Sequence, residues 1–330
     1  MKNGVKQMEK AILESPKIIK EFLIYMQTIK GKSPLTVSEY FIDLRTFFRY
    51  ILKKQDKIPL EIEFEKISIE NVDLALVASV TLSDIYEYLY YITNVRKNNA
   101  STRSRKISCL RSYYKYICDK MGLIEENPTK NLETPKKKKS LPKHLTLEES
   151  MKFLVTIGGV HKDRDFCIMT IFLNCGLRLS ELCGLNFKDI SENSIRVVGK
   201  GNKERIVYLN EACVNALNAY LKVRSNGEVK DKNALFISRL KTRISPKTVQ
   251  WIVKSNLEKA GLAGKGLSTH KLRHTAATLM YQHGGVDIRV LQEILGHESL
   301  STTEIYTHIS STQLENAAKK SPLAGFKIKK

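Results

Sequence analysis

Between Ser15 and about Ile124 the apolar residues recur at helical spacing. "SPKIIKEFLIYMQTI" opens on Ser-Pro, an N-cap and first-turn pair, and predicts a helix. "SPLTVSEYFIDLRTFFRYIL" repeats the device at Ser33-Pro34, with Leu35, Tyr40, Leu44, Phe47 and Ile51 along one stripe. A less regular segment (55–80) follows, then the helical "LSDIYEYLYYI" and "ASTRSRKISCLRSYYKYICDKMG". The last has two faces: Ile107, Leu110, Tyr114 and Ile117 are apolar, while Arg103, Arg105, Lys106 and Arg111 are basic.

The periodicity stops at "NPTKNLETPKKKKSLPKH" (127–144), which holds three prolines and the run Lys136, Lys137, Lys138, Lys139. This reads as a linker. Thr146 and Glu149 then have the spacing of a capping box and start a second, mixed domain. "DFCIMTIFLNCG" predicts a buried helix ending at a turn, and "RLSELCGLNFKDI" a short helix stopping at Gly184. "SIRVVGKGNKERIVYL" alternates on both sides of a Gly-Lys-Gly-Asn-Lys turn, the pattern of a β-hairpin. Helices resume at "SPKTVQWIVKSNLEKAG", "THKLRHTAATLMYQHG" and "DIRVLQEILGH", and continue through the tail. The expected architecture is mainly α: a helical domain over 15–125, a basic linker over 126–145, a mixed α/β domain with a small β-hairpin over 146–320, and a basic tail over 321–330.

Composition narrows the partner. The 330 residues are 42% hydrophobic and 27% charged, which suits two globular domains. The formal net charge of +21 points to a polyanion, nucleic acid before an acidic membrane surface. Taken with that charge, the basic face of the 100–122 helix is expected to track phosphates. The lysine run is expected to lie along a DNA backbone, where counterion release needs no fixed geometry. The plainer alternative for both is solvated charge. The longest apolar stretch, "FCIMTIFLNCGL", is too short to span a bilayer, and the N-terminus lacks the apolar segment of a secretory signal. Six irregularly spaced cysteines with no CxxC pair indicate neither a disulfide framework nor a zinc site, so a reducing cytoplasm is expected.

"LGHESLSTTEIYTH" (295–308) places His297 and Tyr306 nine positions apart, a weak signal alone. Its partners lie upstream: Arg178 in "GLRLSEL", Lys200 at the tip of "VGKGNKER", and His270 and Arg273 three apart in "THKLRH". Two arginines, a lysine, two histidines and a tyrosine form a coherent set for a phosphodiester. Guanidinium forks grip non-bridging oxygens, a lysine can protonate a leaving alkoxide, and a phenol in a cationic pocket can attack phosphorus. Each residue also has a bland reading. Arg178 can pair with Glu181, Lys200 can be a turn lysine, and Tyr306 can be half-buried core. His270 and His274 have the i, i+4 spacing of a metal pair, but the adjacent glutamate of the zinc-protease motif is missing.

In this order Arg178, Lys200, His270-Lys-Leu-Arg273, Gly296-His297 and Tyr306 resemble the tyrosine recombinase (phage-integrase) family, especially its bacterial Xer branch. The resemblance runs from about residue 17 to about residue 320. One departure is "HGGVDIR", a residue longer than the family's usual turn. The resemblance implies a helical core-binding domain and a mixed catalytic domain closing as a C-shaped clamp on duplex DNA. It implies that Tyr306 attacks the scissile phosphate to form a 3′-phosphotyrosyl link and free a 5′-hydroxyl. Arg178 and Arg273 would hold the phosphate, Lys200 would protonate the leaving oxygen, His270 would move a proton at the tyrosine, His297 would bond the phosphate, and Glu181 would buttress the site. No metal, cofactor or ATP is implied. Strand exchange through a Holliday junction implies a homo- or hetero-tetramer on double-stranded DNA sites, with a C-terminal helix (Leu314, Ala317, Ala318) passed to the neighbouring subunit. Dimer resolution in chromosome partition, DNA inversion and mobile-element integration all stay open. The absence of an arm-binding domain ahead of Ser15 favours a simple two-site enzyme. Two rival readings are a type IB topoisomerase-like relaxing enzyme and a non-catalytic DNA-binding regulator.

Overall fold

Side-chain caps start several helices of the N-terminal half, the one at Ser33 as the sequence predicts. In the computed structural model, which describes residues 10–55, 62–134, 143–199, 203–224, 229–297 and 303, the chain divides into two compact units, Met1–Lys139 and Ser140–Lys330. The first holds α1 (Lys17–Thr28), α2 (Pro34–Lys54), α3 (Leu74–Ala78), α4 (Leu82–Asn94) and α5 (Ala100–Lys115), the last running on into a π turn. Ser33 accepts the Thr36 amide and Pro34 opens α2. Thr81 and Asp84 form a reciprocal capping box on α4. Phe22, Phe47, Phe48, Tyr88, Tyr113 and Tyr114 are fully buried and add an aromatic cluster to a mostly aliphatic core.

Two sequence expectations need correcting in this unit. Ser15 does not cap α1: Pro16 takes the cap position, and the Ser15 hydroxyl instead donates to the Ile12 carbonyl at 2.6 Å. Leu35 is 73% exposed, because the buried face of α2 runs through Val37, Phe41, Leu44, Phe47, Phe48 and Ile51. Leu132 is buried in the first core, while Leu145 is buried in the second and donates its amide to Thr275 Oγ1 at 3.0 Å. A single leucine anchoring irregular chain carries no periodicity, so it gives no signal in a window.

The second unit contains α6 (Leu147–Val155), α7 (Lys162–Cys175), α8 (Leu179–Gly184), strands β1 (Ile190–Ser191), β2 (Ser194–Val198) and β3 (Glu204–Tyr208), then α9 (Glu211–Val223), α10 (Pro246–Lys259), α11 (Thr269–Gln282) and α12 (Ile288–Leu295). The Thr146–Glu149 capping box starts α6. Helix α7 is buried along most of its length, with α6, α9 and α11 packed on it. The strands form one antiparallel sheet in the order β1-β2-β3, pairing Val197 with Arg205 and Ser194 with Tyr208. The predicted hairpin is thus present, extended by a two-residue strand too short to show alternation. All six cysteines are free and five are buried. Among the described residues no helix is long and apolar enough to cross a membrane.

Gly176 ends α7 in the left-handed region (φ 61°), and a Cβ there would stand 2.8 Å from Leu295 Cδ2. Gly176→Ala is therefore expected to cost about 1–3 kcal/mol of stability through overpacking and backbone strain. Urea unfolding checks it, and an unchanged midpoint would refute the clash.

Candidate active site

The two arginines of the predicted set reach the same short stretch of backbone. Arg178 occupies the N-cap of α8, just after the Gly176 turn. Its amide donates to Glu181 Oε2 at 2.7 Å, its Nη1 to Glu181 Oε1 at 2.8 Å, and its Nη2 to the Gly296 carbonyl at 2.9 Å. Arg273, on α11, is 2% exposed. It donates Nη1 to the Gly176 carbonyl and Nη2 to the Leu295 carbonyl, both at 2.6 Å. Leu295 and Gly296 are consecutive residues at the end of α12, and Gly296 turns the chain left-handed toward His297. The pairing of Arg178 with Glu181 is real, yet it does not remove the arginine from the site: its side chain stays 34% exposed.

Glu181 is the anionic centre of this arrangement. Its side chain is 1% exposed, and Arg205 approaches from β3 with a two-pronged fork, Nη1 to Oε1 at 2.8 Å and Nη2 to Oε2 at 2.9 Å. Arg273 Nη1 lies 3.9 Å from Oε2. Burial would push the carboxyl up, but the Arg205 hydrogen bonds, the Arg178 amide and the surrounding guanidinium charge hold it down at about 2. Arg205 was not among the sequence candidates. Its signal was in the alternation of β3: Arg205 and Val207 share the inward register while Ile206 is 60% exposed, so an arginine takes a core position beside an outward isoleucine.

The histidines complete the pocket. His270 and His274 place their Nε2 atoms 3.1 Å apart, and His297 Nδ1 lies 2.9 Å from the hydroxyl of the buried Thr303. Two ring nitrogens at that distance share one proton, so both rings cannot be cationic. Burial, then the charges of Arg273 and Arg178, lower the His270 pKa. Burial, then His270 and Arg273, hold His274 at about 4, and burial with Arg273 and Arg178 holds His297 at about 4. Unfolded histidines titrate near ~6.5, so the unfolded chain binds more protons than the fold between pH ~6.5 and about 4. Stability is therefore full above that window and falls as pH drops through it. The urea midpoint should be lower at pH ~5 than at pH ~7.5, and His274→Gln or His297→Gln should flatten the slope. An equal slope in those variants would rule the histidines out as its source.

Arg178, His270, Arg273, His297 and Glu181 thus share one neighbourhood. Lys200, Tyr306 and the lysines 136–139 lie outside the described residues. Gly199, the neighbour of Lys200, belongs to this neighbourhood, since a Cβ there would stand 3.5 Å from Glu181 Oε1. The basic residues of α5 have partners within the first unit. Lys106 is 6% exposed and its ammonium donates to the buried Asp43 at 2.9 Å, because the helix turns that position into the core. Arg105 bonds Asp43 and Glu39, Arg111 bonds the Leu132 carbonyl and Thr134, and Arg103 lies against Thr93 and the Asn98 carbonyl. Among the described residues no group of three or more acidic, histidine or cysteine side chains is arranged to hold a metal ion.

Arg178, Arg273, His270 and His297, gathered around the end of α12, suit an anionic group such as a phosphodiester. The chain belongs to the phage integrase family of tyrosine recombinases, enzymes that break and rejoin DNA: the phage integrase family model matches residues 143–313. It is 51% identical over 323 residues to the tyrosine recombinase XerC of Caldanaerobacter subterraneus subsp. tengcongensis, covering 97% of this chain and 92% of that one. It is 35% identical over 306 residues to the XerC of Thermodesulfovibrio yellowstonii, covering 90% and 93%. Among solved structures, the XerH site-specific recombinase bound to its difH substrate in a pre-cleavage complex aligns over 96% of this chain and 84% of that one, with 25% identity and a TM-score of 0.67. A lambda integrase dimer on a core site shares the fold at 16% identity, covering 88% of this chain and 93% of that one, with a TM-score of 0.65.

Proposed function

We propose that the chain recombines specific DNA sites through a covalent 3′-phosphotyrosyl intermediate formed by Tyr306. Arg178 and Arg273 grip the non-bridging oxygens, where charge develops during attack. Lys200 protonates the departing 5′-oxygen, His270 moves a proton at the phenol, and His297 donates to the phosphate. Glu181 holds Arg178 in place. The ester conserves the free energy of the broken bond, so a 5′-hydroxyl from another strand reseals it without ATP or a metal. Two such rounds pass through a Holliday junction. Four subunits, of this chain alone or with a partner recombinase, engage two duplexes in the cytoplasm and pass their C-terminal helices between neighbours.

The observation that carries this reading is the convergence of Arg178 and Arg273 on the consecutive carbonyls of Leu295 and Gly296, beside His270 and His297. Covalent reach supports the rest. Tyr306 is three residues beyond Thr303 in the sequence, and the Thr303 hydroxyl touches His297. Lys200 follows Gly199 directly in the sequence. The +21 charge supplies the attraction to duplex DNA.

The test is capture of covalent protein–DNA adducts across the host genome, with the linked phosphates mapped to the base. Adducts at a small set of related sequences, exchanged between two copies on a plasmid, are expected. Relaxation of plasmids without exchange would favour a topoisomerase, and no adduct at all would favour a non-catalytic DNA binder.

A further inference from the structure

We propose that Arg205 is a positioning residue for strand cleavage: it ties the Arg178 helix, the β-hairpin and the His297 turn into one rigid site. The inference rests on the recombinase reading above and goes beyond it, because Arg205 is none of the six residues assigned to the chemistry.

Three observations carry it. The fork from Arg205 takes both oxygens of Glu181, while Glu181 takes the amide and Nη1 of Arg178. The third Arg205 donor, Nε, reaches the Ile294 carbonyl at 3.0 Å in the last turn of α12. The Arg205 side chain also packs against the Gly296 turn so closely that a Cβ on Gly296 would stand 3.2 Å from its Cδ and its Nη1. One guanidinium on β3 therefore touches the acid that orients Arg178 and the turn that presents His297. Its own strand belongs to the hairpin, whose other arm ends at Gly199 against Glu181.

The charge arithmetic explains why an arginine is needed. Glu181 carries one negative charge and faces three guanidiniums: Arg178 at the head of α8, Arg205 from β3, and Arg273 from α11 at 3.9 Å. His297, on the turn after α12, feels Arg205 as well. With Arg205 occupying both oxygens, the carboxylate is compensated from beneath, and Arg178 keeps its cationic character toward a phosphate. Without Arg205 the carboxylate would neutralise Arg178 instead, and the end of α12 would lose its tether. A lysine keeps the charge but cannot fork across two oxygens and reach a carbonyl at once.

The test uses the full-length protein and a nicked duplex carrying a site recovered by the covalent capture described above. Wild type, Arg205→Gln and Arg205→Lys are compared for DNA binding, single-turnover adduct formation and the pH dependence of that rate. Arg205→Gln is expected to bind DNA within about threefold of wild type and to cleave about 10²-fold more slowly. Its acid limb should move up by about one pH unit or more, because Glu181 loses the donor that most strongly favours its ionised form. Arg205→Lys is expected to cleave about tenfold more slowly with the acid limb near that of wild type. Should Arg205→Gln fail to fold, the lysine variant decides alone, and cleavage at the wild-type rate overturns the proposal. Wild-type cleavage by Arg205→Gln, a loss of cleavage matched by loss of binding, or an unmoved acid limb would also overturn it. A wild-type protein that forms no adduct on the same duplex would instead bring down the recombinase reading, and this proposal with it.

Discussion

Tyr306→Phe is expected to bind its DNA site as tightly as the native chain and to form no covalent adduct. The substitution removes one oxygen and keeps the ring, so contacts that only position the segment survive. The phenol is the single atom group proposed to bond phosphorus, and removing a nucleophile from a cooperating set costs roughly 10⁴-fold or more in rate. A phenol with a pKa near ~10 is a poor nucleophile in water, and the proposed site beside Arg178 and Arg273 would lower the cost of its ionised form. The readout is a denaturant-stable protein–DNA band on a nicked duplex. A band of normal intensity from the phenylalanine variant would sink the assignment of Tyr306.

Arg273→Ala is expected to be the most damaging change at the described residues, in two independent measurements. Its guanidinium is buried and holds the carbonyls of Gly176 and Leu295. Removing it leaves two inward backbone acceptors without their donor and takes a cation from beside Glu181. Together these should cost roughly 3–5 kcal/mol of stability. Cleavage should fall by about 10²–10³ beyond any loss of folded protein, since one of the two proposed phosphate clamps is gone. Arg178→Ala is the informative contrast. Its side chain is 34% exposed, so a comparable loss of cleavage should come with a smaller loss of stability. Equal destabilisation by the two variants, or normal cleavage by either in the folded fraction, would contradict the arrangement described here.

Much of the site was legible before any coordinates. Arg178, His270, Arg273 and His297 stand in short motifs whose residue types suit one anion, and the structure gathers all four. Glu181 was readable as a partner of Arg178 because three positions along a helix bring side chains together. Arg205 was harder, since its partners lie 24 residues away at Glu181 and 89 away at Ile294. Local spacing says nothing about such pairs. The basic residues of α5 likewise find partners far away in the sequence. Four cations on one helix looked like a phosphate-tracking surface, yet Lys106 is turned inward to Asp43, 63 residues upstream.

What the sequence alone determined about this chain is local and compositional. Helix starts at Ser33, Thr81 and Thr146, the hairpin around 199–203 and the demand of a +21 surface for an anionic partner all follow from neighbouring residues and summed charge. Only the tertiary structure decided which cations gather around Glu181 and which pair elsewhere in the fold. That choice depends on where distant carboxylates and carbonyls arrive, and a buried guanidinium is fixed by partners that no sequence window contains.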